Sequence, residues 1–219
     1  MSDENKYAVE VFNEMANVYQ VQYMNVDIYQ EALAYLLQHL HAGDAILDIA
    51  SGPGNVLQYL GNRNSQLQLA GIDLATEMIK LAKQNVPQAT LEVADARDLS
   101  SINGCYDAIV CNFLLPYLPE TEMGKLFSAV SNLLVPDGMF YVGFIMEHQN
   151  RSEMVQSSKG HNVRMHYCSE NYVTGLLQHN QFMLGFSKRY ASNNSRQAQM
   201  DVIMVASKQA HSNERLHPV

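Results

Sequence analysis

Asp48, Asp73, Asp95 and Asn112 each sit at the end of a short apolar run. If those runs are parallel strands, the four side chains meet at one edge of a sheet. A single acid at a strand end means little. Three at successive ends form a constellation when a glycine-rich turn, Ser51-Gly52-Pro53-Gly54, follows the first. The glycines let backbone N–H groups approach a ligand at a helix N-terminus. Asp73 is placed to accept both hydroxyls of a ribose, and a hydrogen bond to a charged group contributes about 1.5–3 kcal/mol. Asp95 is placed to accept from the exocyclic amine of adenine.

The elements that must position these residues are visible as alternating periods. Residues 27–40 carry Ile28, Ala32, Leu33, Leu36, Leu37 and Leu40 on one helical stripe. Strands are expected at 45–50, 67–72, 89–94, 106–111 and 139–145, with helices between them. Pro119, Glu120 and Glu122 suit a helix start, with that helix running to about Leu134. Pro136-Asp137-Gly138 is a turn in which Pro sets φ and Gly permits positive φ. This alternation predicts an α/β fold, a parallel sheet with helices on both faces. In such sheets ligands bind beyond the carboxyl ends of the strands, where the strand order reverses. Residues 146–168 are polar without a clear period and are expected to form a long loop or small cap. Residues 169–179 read as a helix. Residues 182–190 and 200–206 read as two strands whose short connection makes them antiparallel. The polar tail, 208–219, is expected to be mobile.

Composition narrows the function. The chain has 219 residues, 47% apolar and 16% charged, which suits one domain with a single core. Its 14 basic and 22 acidic residues give a net charge of −8. No basic stripe offsets that charge, so nucleic acids and anionic membrane surfaces are excluded as partners. The N-terminus has no secretory pattern, and no run approaches the roughly 18 apolar residues of a membrane span. Cys105, Cys111 and Cys168 fit neither a disulfide framework nor a zinc site, and read as free thiols of a cytoplasmic protein. No trio for a divalent metal stands out.

Taken together, the motifs resemble a known family. Ile46-Leu47-Asp48-Ile49-Ala50-Ser51-Gly52-Pro53-Gly54 is similar to the first motif of class I S-adenosylmethionine-dependent methyltransferases, small-molecule branch (type 11, 12 and 25-like). Gly71-Ile72-Asp73-Leu74-Ala75-Thr76-Glu77-Met78-Ile79 resembles the second motif, and Val93-Ala94-Asp95-Ala96 the third. The fourth and fifth are matched by 106–112 and 133–139, and residues 12–19 resemble the N-terminal helix that closes over the cofactor. The resemblance runs from about residue 8 to 207. It implies a Rossmann-like, seven-stranded, mostly parallel sheet with an antiparallel C-terminal strand and a single domain over 1–219. Within it, residues 1–40 would be a helical lid, 44–145 the cofactor-binding core, 146–168 the substrate side, and 169–207 a helix and strand hairpin.

The resemblance also implies the cofactor, S-adenosyl-L-methionine, with S-adenosyl-L-homocysteine as product, and a small molecule as methyl acceptor. The turn from Asp48 through Ala50, Ser51 and Gly52 to Gly54 would hold the methionine end. Asp73 would bind the ribose, with Leu74 and Met78 against the adenine and Asp95 and Ala96 at its edge. Asn112 and Phe113 would line the floor near the sulfonium, and Tyr19 would close the pocket. Ala50 departs from the pattern, standing where the family usually has its first glycine.

Methyl transfer is an in-line displacement in which alignment supplies up to about 7–11 kcal/mol of the barrier. A base is needed only for an acceptor that arrives protonated. Tyr19, Tyr23, Tyr117, His148, His161 and His166 are the acceptor-side candidates, and no catalytic residue is singled out among them. The acceptor atom stays open between oxygen, nitrogen and carboxylate. Two alternatives share parts of the pattern. One is a non-catalytic S-adenosylmethionine-binding regulator. The other is a nicotinamide dinucleotide binder, whose third turn glycine would have to be Leu57.

Overall fold

The computed structural model describes residues 5–156, 160, 162–191 and 200–210; for Asn5 and Lys6 only the helical backbone is described. His161 and most of the expected C-terminal tail lie outside the described residues. The elements run α1 (Asn5–Tyr23), α2 (Gln30–Leu37), β1 (Ala45–Ile49), α3 (Asn55–Arg63), β2 (Gln68–Asp73), α4 (Thr76–Asn85), β3 (Thr90–Val93) and β4 (Tyr106–Asn112). They continue with α5 (Glu120–Leu133), β5 (Leu134–Met146), β6 (Arg151–Gln156), β7 (Asn162–Tyr167), α6 (Glu170–His179), β8 (Phe182–Ala191) and β9 (Met200–Lys208).

Seven strands form one sheet in the order β3-β2-β1-β4-β5-β9-β8. The first five are mutually parallel, and β9 runs antiparallel to both of its neighbours, β5 and β8. The order reverses between β1 and β4, so a crevice opens beyond their carboxyl ends. Strands covered on both faces read as continuous apolar runs with side chains diverging by alternation. Ile46, Ala108, Val110, Tyr141 and Ile203 pack against α2, α3 and α4. Leu47, Ile109, Phe140, Val142 and Met204 pack against α5 and α6.

Single residues settle local geometry. Ser169 caps α6, its side chain accepting from the Tyr172 N–H at 3.2 Å. Gly71 makes room for α3: a Cβ there would stand 2.9 Å from both Leu57 Cδ1 and Leu91 Cδ2. The large residue that spoils a dinucleotide-type turn is thus accommodated by a missing side chain on the neighbouring strand.

The expected segments differ from the structure in three places. The stripe over 27–40 divides into a single 3₁₀ turn (Asp27–Tyr29) followed by α2, which ends at Leu37. β5 begins at Leu134, because 134 pairs with Tyr106 before 135–138 loop out and pairing resumes at Ala108 with Met139. The region expected as a loop or cap contains the antiparallel hairpin β6–β7. Every residue of β6 is exposed, so no buried face imposed a period on it.

Candidate functional site

Two adjoining cavities occupy the crevice. The first encloses about 870 Å³ including its mouth and is lined by Asp73, Leu74, Met78, Asp95, Ala96 and Phe12, among others. The second encloses about 1410 Å³ including its mouth and is lined by Asp48, Ser51, Tyr23, Tyr29 and Asp201, among others. Tyr19, Ala50, Gly52, Asn112, Phe113 and Tyr117 border both. The three carboxylates at positions 48, 73 and 95 therefore open onto one continuous cleft.

Asp48, the penultimate residue of β1, is 1% exposed. Both of its carboxylate oxygens are buried without a hydrogen-bond partner, as is Ser51 Oγ beside it. Burial, reinforced by the nearby Asp73 carboxylate, holds its carboxyl well above the usual range. Asp73, at the end of β2, accepts from the Gly52 and Ala75 N–H groups, both at 2.8 Å. Burial raises its pKa, and those two bonds pull it part of the way back. Asp73 thus ties the turn after β1 to the start of α4 while keeping lone pairs toward the cleft.

Asp95 is engaged by its neighbour. Its oxygens accept from Arg97 Nε at 3.0 and 2.9 Å and from Nη2 at 2.6 Å. Nothing in the motif pattern signalled this pairing, which leaves the Asp95 carboxylate little capacity for a second donor. Asn112, at the end of β4, has a buried Oδ1 without a partner. That oxygen lies where a side chain on Gly143 would otherwise stand.

The turn after β1 is held in left-handed backbone. φ is +58° at Ala50, +53° at Gly52 and +81° at Gly54. For an alanine this conformation costs about 1–2 kcal/mol, which is the physical meaning of the substituted first glycine. Gly54 lines neither cavity; it caps α3, where a Cβ would press Val86 at 3.0 Å. Phe113 is also left-handed, at φ +61°, and this turns its ring into both cavities.

Helix α1 (Asn5–Tyr23) lies over the cleft and is pinned at its middle and at its C-terminal end. Asn13 Oδ1 accepts from the Glu77 N–H at 3.0 Å, and Asn55 Nδ2 donates to the Tyr23 carbonyl at 3.0 Å. Tyr19 on this helix passes over Gly52, 3.8 Å from where its Cβ would be. Tyr19 also stacks at a tilt on Tyr23, with centroids 4.5 Å apart. Burial raises the hydroxyl pKa of Tyr19 and Tyr117 beyond the ordinary phenol value.

The acceptor-side candidates separate. Tyr19, Tyr23 and Tyr117 border the second cavity, whereas His148 and His166 line neither. The His166 ring faces Ser152 Oγ at 2.7 Å across the β6–β7 hairpin. Sequence reasoning missed Asp201 on β9, which is 5% exposed and accepts from the Tyr29 hydroxyl at 2.7 Å. Its signal was a lone acid opening an otherwise apolar strand, Met200-Asp201-Val202-Ile203-Met204.

Comparison with known proteins agrees with this geometry. Residues 46–138 match the family described as methyltransferase domain. The chain is 29% identical over 99 residues to a trans-aconitate 2-methyltransferase of Variovorax paradoxus, covering 44% of this chain and 37% of that protein. The chain spans 37%, 36% and 45% of the length of three of the curated relatives it matches. Among solved structures, magnesium protoporphyrin IX methyltransferase from Synechocystis with bound SAM superposes with a TM-score of 0.72 at 15% identity, covering 95% of this chain and 99% of that one. A 1,6-didemethyltoxoflavin-N1-methyltransferase from Burkholderia thailandensis does so with a TM-score of 0.72 at 18% identity, covering 96% of this chain and 92% of that one. With its strand order, its strand-end acids and the match over residues 46–138, the chain has the fold of S-adenosylmethionine-dependent methyltransferases and carries a segment similar to the methyltransferase-domain family.

Proposed function

We propose that the chain binds S-adenosyl-L-methionine in this cleft and transfers its methyl group to a small molecule, releasing S-adenosyl-L-homocysteine. The observation that carries the reading is the graded polarity of the cleft. At one end, Asp48 and Ser51 present buried polar atoms with no partner in the protein. Such atoms cost about 1–3 kcal/mol each unless something satisfies them, and a zwitterionic amino-acid moiety with its ammonium would do so. Asp73 follows at the end of β2, the strand next to β1, and lines the adjoining cavity. Beyond it, Val9, Phe12, Leu74, Met78, Ala96 and Leu118 form an apolar slot suited to a purine.

When bound, the sulfonium supplies an electrophilic methyl group that a nucleophile takes by in-line displacement. The protein's part is to hold and exclude. Asp73 fixes the ribose while bracing the Gly52 turn. Tyr19 and Phe12, on α1, cover the slot, and the bonds from α1 to Glu77 and Asn55 keep that cover closed. Asp95 and Arg97 form the outer edge of the slot as a neutralised pair. Residues 1–40 would act as the lid and 44–145 as the cofactor-binding core of a single domain, with the β6–β7 hairpin toward the acceptor side. The acidic net charge favours a small-molecule acceptor over nucleic acid. No helix among the described residues is long and apolar enough to cross a membrane.

Isothermal calorimetry with S-adenosylmethionine and S-adenosylhomocysteine tests the reading. Both should bind in one-to-one stoichiometry, and absence of heat for both would overturn it.

A further inference from the structure

The second cavity lies across the shared rim from the adenosine slot, and it has an unusual lining. Asp48 and Asp201 are both carboxylates, 1% and 5% exposed. No lysine, arginine or histidine among the described residues lines it. Aromatic and amide side chains, Tyr19, Tyr23, Tyr29, Phe113, Tyr117 and Asn112, line it beside aliphatic Val26, Ile28 and Ile145. Resting on the proposed function, we infer that this cavity receives the methyl acceptor as an amine, with Asp201 as its counter-charge and the tyrosine and Phe113 rings around its nitrogen.

The two acids divide the work. Asp48 sits in the turn assigned to the donor's amino-acid end, where its unpartnered oxygens await an ammonium. Asp201 lies on a different strand, β9, and is oriented by the Tyr29 hydroxyl at 2.7 Å, so it faces what enters from the acceptor side. Tyr29 is itself fixed by ring contacts with Phe113 at 5.6 Å and Tyr190 at 5.2 Å. A carboxylate or phosphate acceptor would enter this wall against like charge with nothing cationic to receive it. A hydroxyl acceptor would bring no charge for Asp201 to offset, and the lining has no imidazole, while burial makes the hydroxyls of Tyr19, Tyr23 and Tyr117 harder to ionise. An amine docks as its ammonium and gives one proton to Asp201 or to solvent before reacting; its freed nitrogen lone pair then forms the new N–C bond as the C–S bond breaks, the electron pair returning to sulfur. The positive charge moves from sulfur to nitrogen, toward Asp201 and the aromatic faces that favour a cation.

The test uses the full chain saturated with S-adenosylhomocysteine and a matched pair of probes, phenethylamine and phenylacetate, with binding followed by ligand-observed NMR. Phenethylamine should bind at least tenfold more tightly. Asp201→Asn should abolish that preference while leaving S-adenosylhomocysteine affinity within twofold, which also shows that the variant is folded. Ile28→Arg, at an exposed position on the cavity rim, should shift the preference toward phenylacetate. Radiolabelled transfer to tyramine should place the methyl on nitrogen. Equal or tighter binding of phenylacetate, a preference that survives Asp201→Asn, no binding of either probe, or methyl on the phenolic oxygen would each overturn the amine assignment. Failure of S-adenosylhomocysteine to bind would instead overturn the underlying function.

Discussion

Replacing Asp48 by Asn should move stability and cofactor affinity in opposite directions. The carboxylate is fully buried and neither oxygen has a partner. An unsatisfied buried polar group costs about 1–3 kcal/mol, and more when charged. The amide keeps the shape and removes the charge, so Asp48→Asn should stabilise the unliganded protein by about 1–3 kcal/mol at pH 7. For a chain of this length that corresponds to roughly 2–10 °C in Tm.

The pH dependence follows from the raised folded-state pKa. Between the unfolded value near 4 and the folded one, the native state holds a proton that the unfolded state has lost, so stability falls as pH rises through that window. The advantage of Asn should therefore be near zero below pH about 4 and grow with increasing pH. Affinity moves the other way. Loss of a charge-assisted bond of about 1.5–3 kcal/mol weakens S-adenosylhomocysteine binding by roughly 10–100-fold. Thermal melts from pH 4 to 8 and calorimetry measure the two arms. A lower Tm at neutral pH, or affinity within twofold of the parent, would refute the reasoning.

Three further substitutions probe the same edge of the sheet. Asp73→Ala removes the acceptor of the Gly52 and Ala75 N–H groups, so calorimetry should show at least tenfold weaker cofactor binding, and urea unfolding a loss of about 1–3 kcal/mol. Ala50→Gly relieves a left-handed alanine at φ +58°; after the entropy of an added glycine, a gain of up to about 1 kcal/mol is expected in urea melts. Gly143→Ala forces a methyl onto Asn112 Oδ1 and to 2.8 Å from Ile203 Cδ1. It should cost about 1–3 kcal/mol and lower cofactor affinity, and Asn112→Ala should relieve the steric part.

The sequence by itself determined the layered order and the positions of the strand-end acids. β1, β2 and β4 are buried on both faces, so their apolar runs are continuous, and the first polar residue after each run marks where the sheet meets the crevice. Ser51-Gly52-Pro53-Gly54 was legible for a similar reason, since only a left-handed turn calls for that spacing. What required tertiary structure depends on partners distant in the chain. Arg97 occupies Asp95 through a side-chain choice that no period encodes. Asp201 faces the second cavity because β9 inserts beside β5, and Tyr29 reaches it from 172 residues away. The β6–β7 hairpin is held by backbone pairing between exposed residues, so no hydrophobic alternation announced it. Local pattern records which side of an element is dry; it does not record which charged group will stand opposite once the faces meet, because that depends on the register and order of strands far apart in sequence.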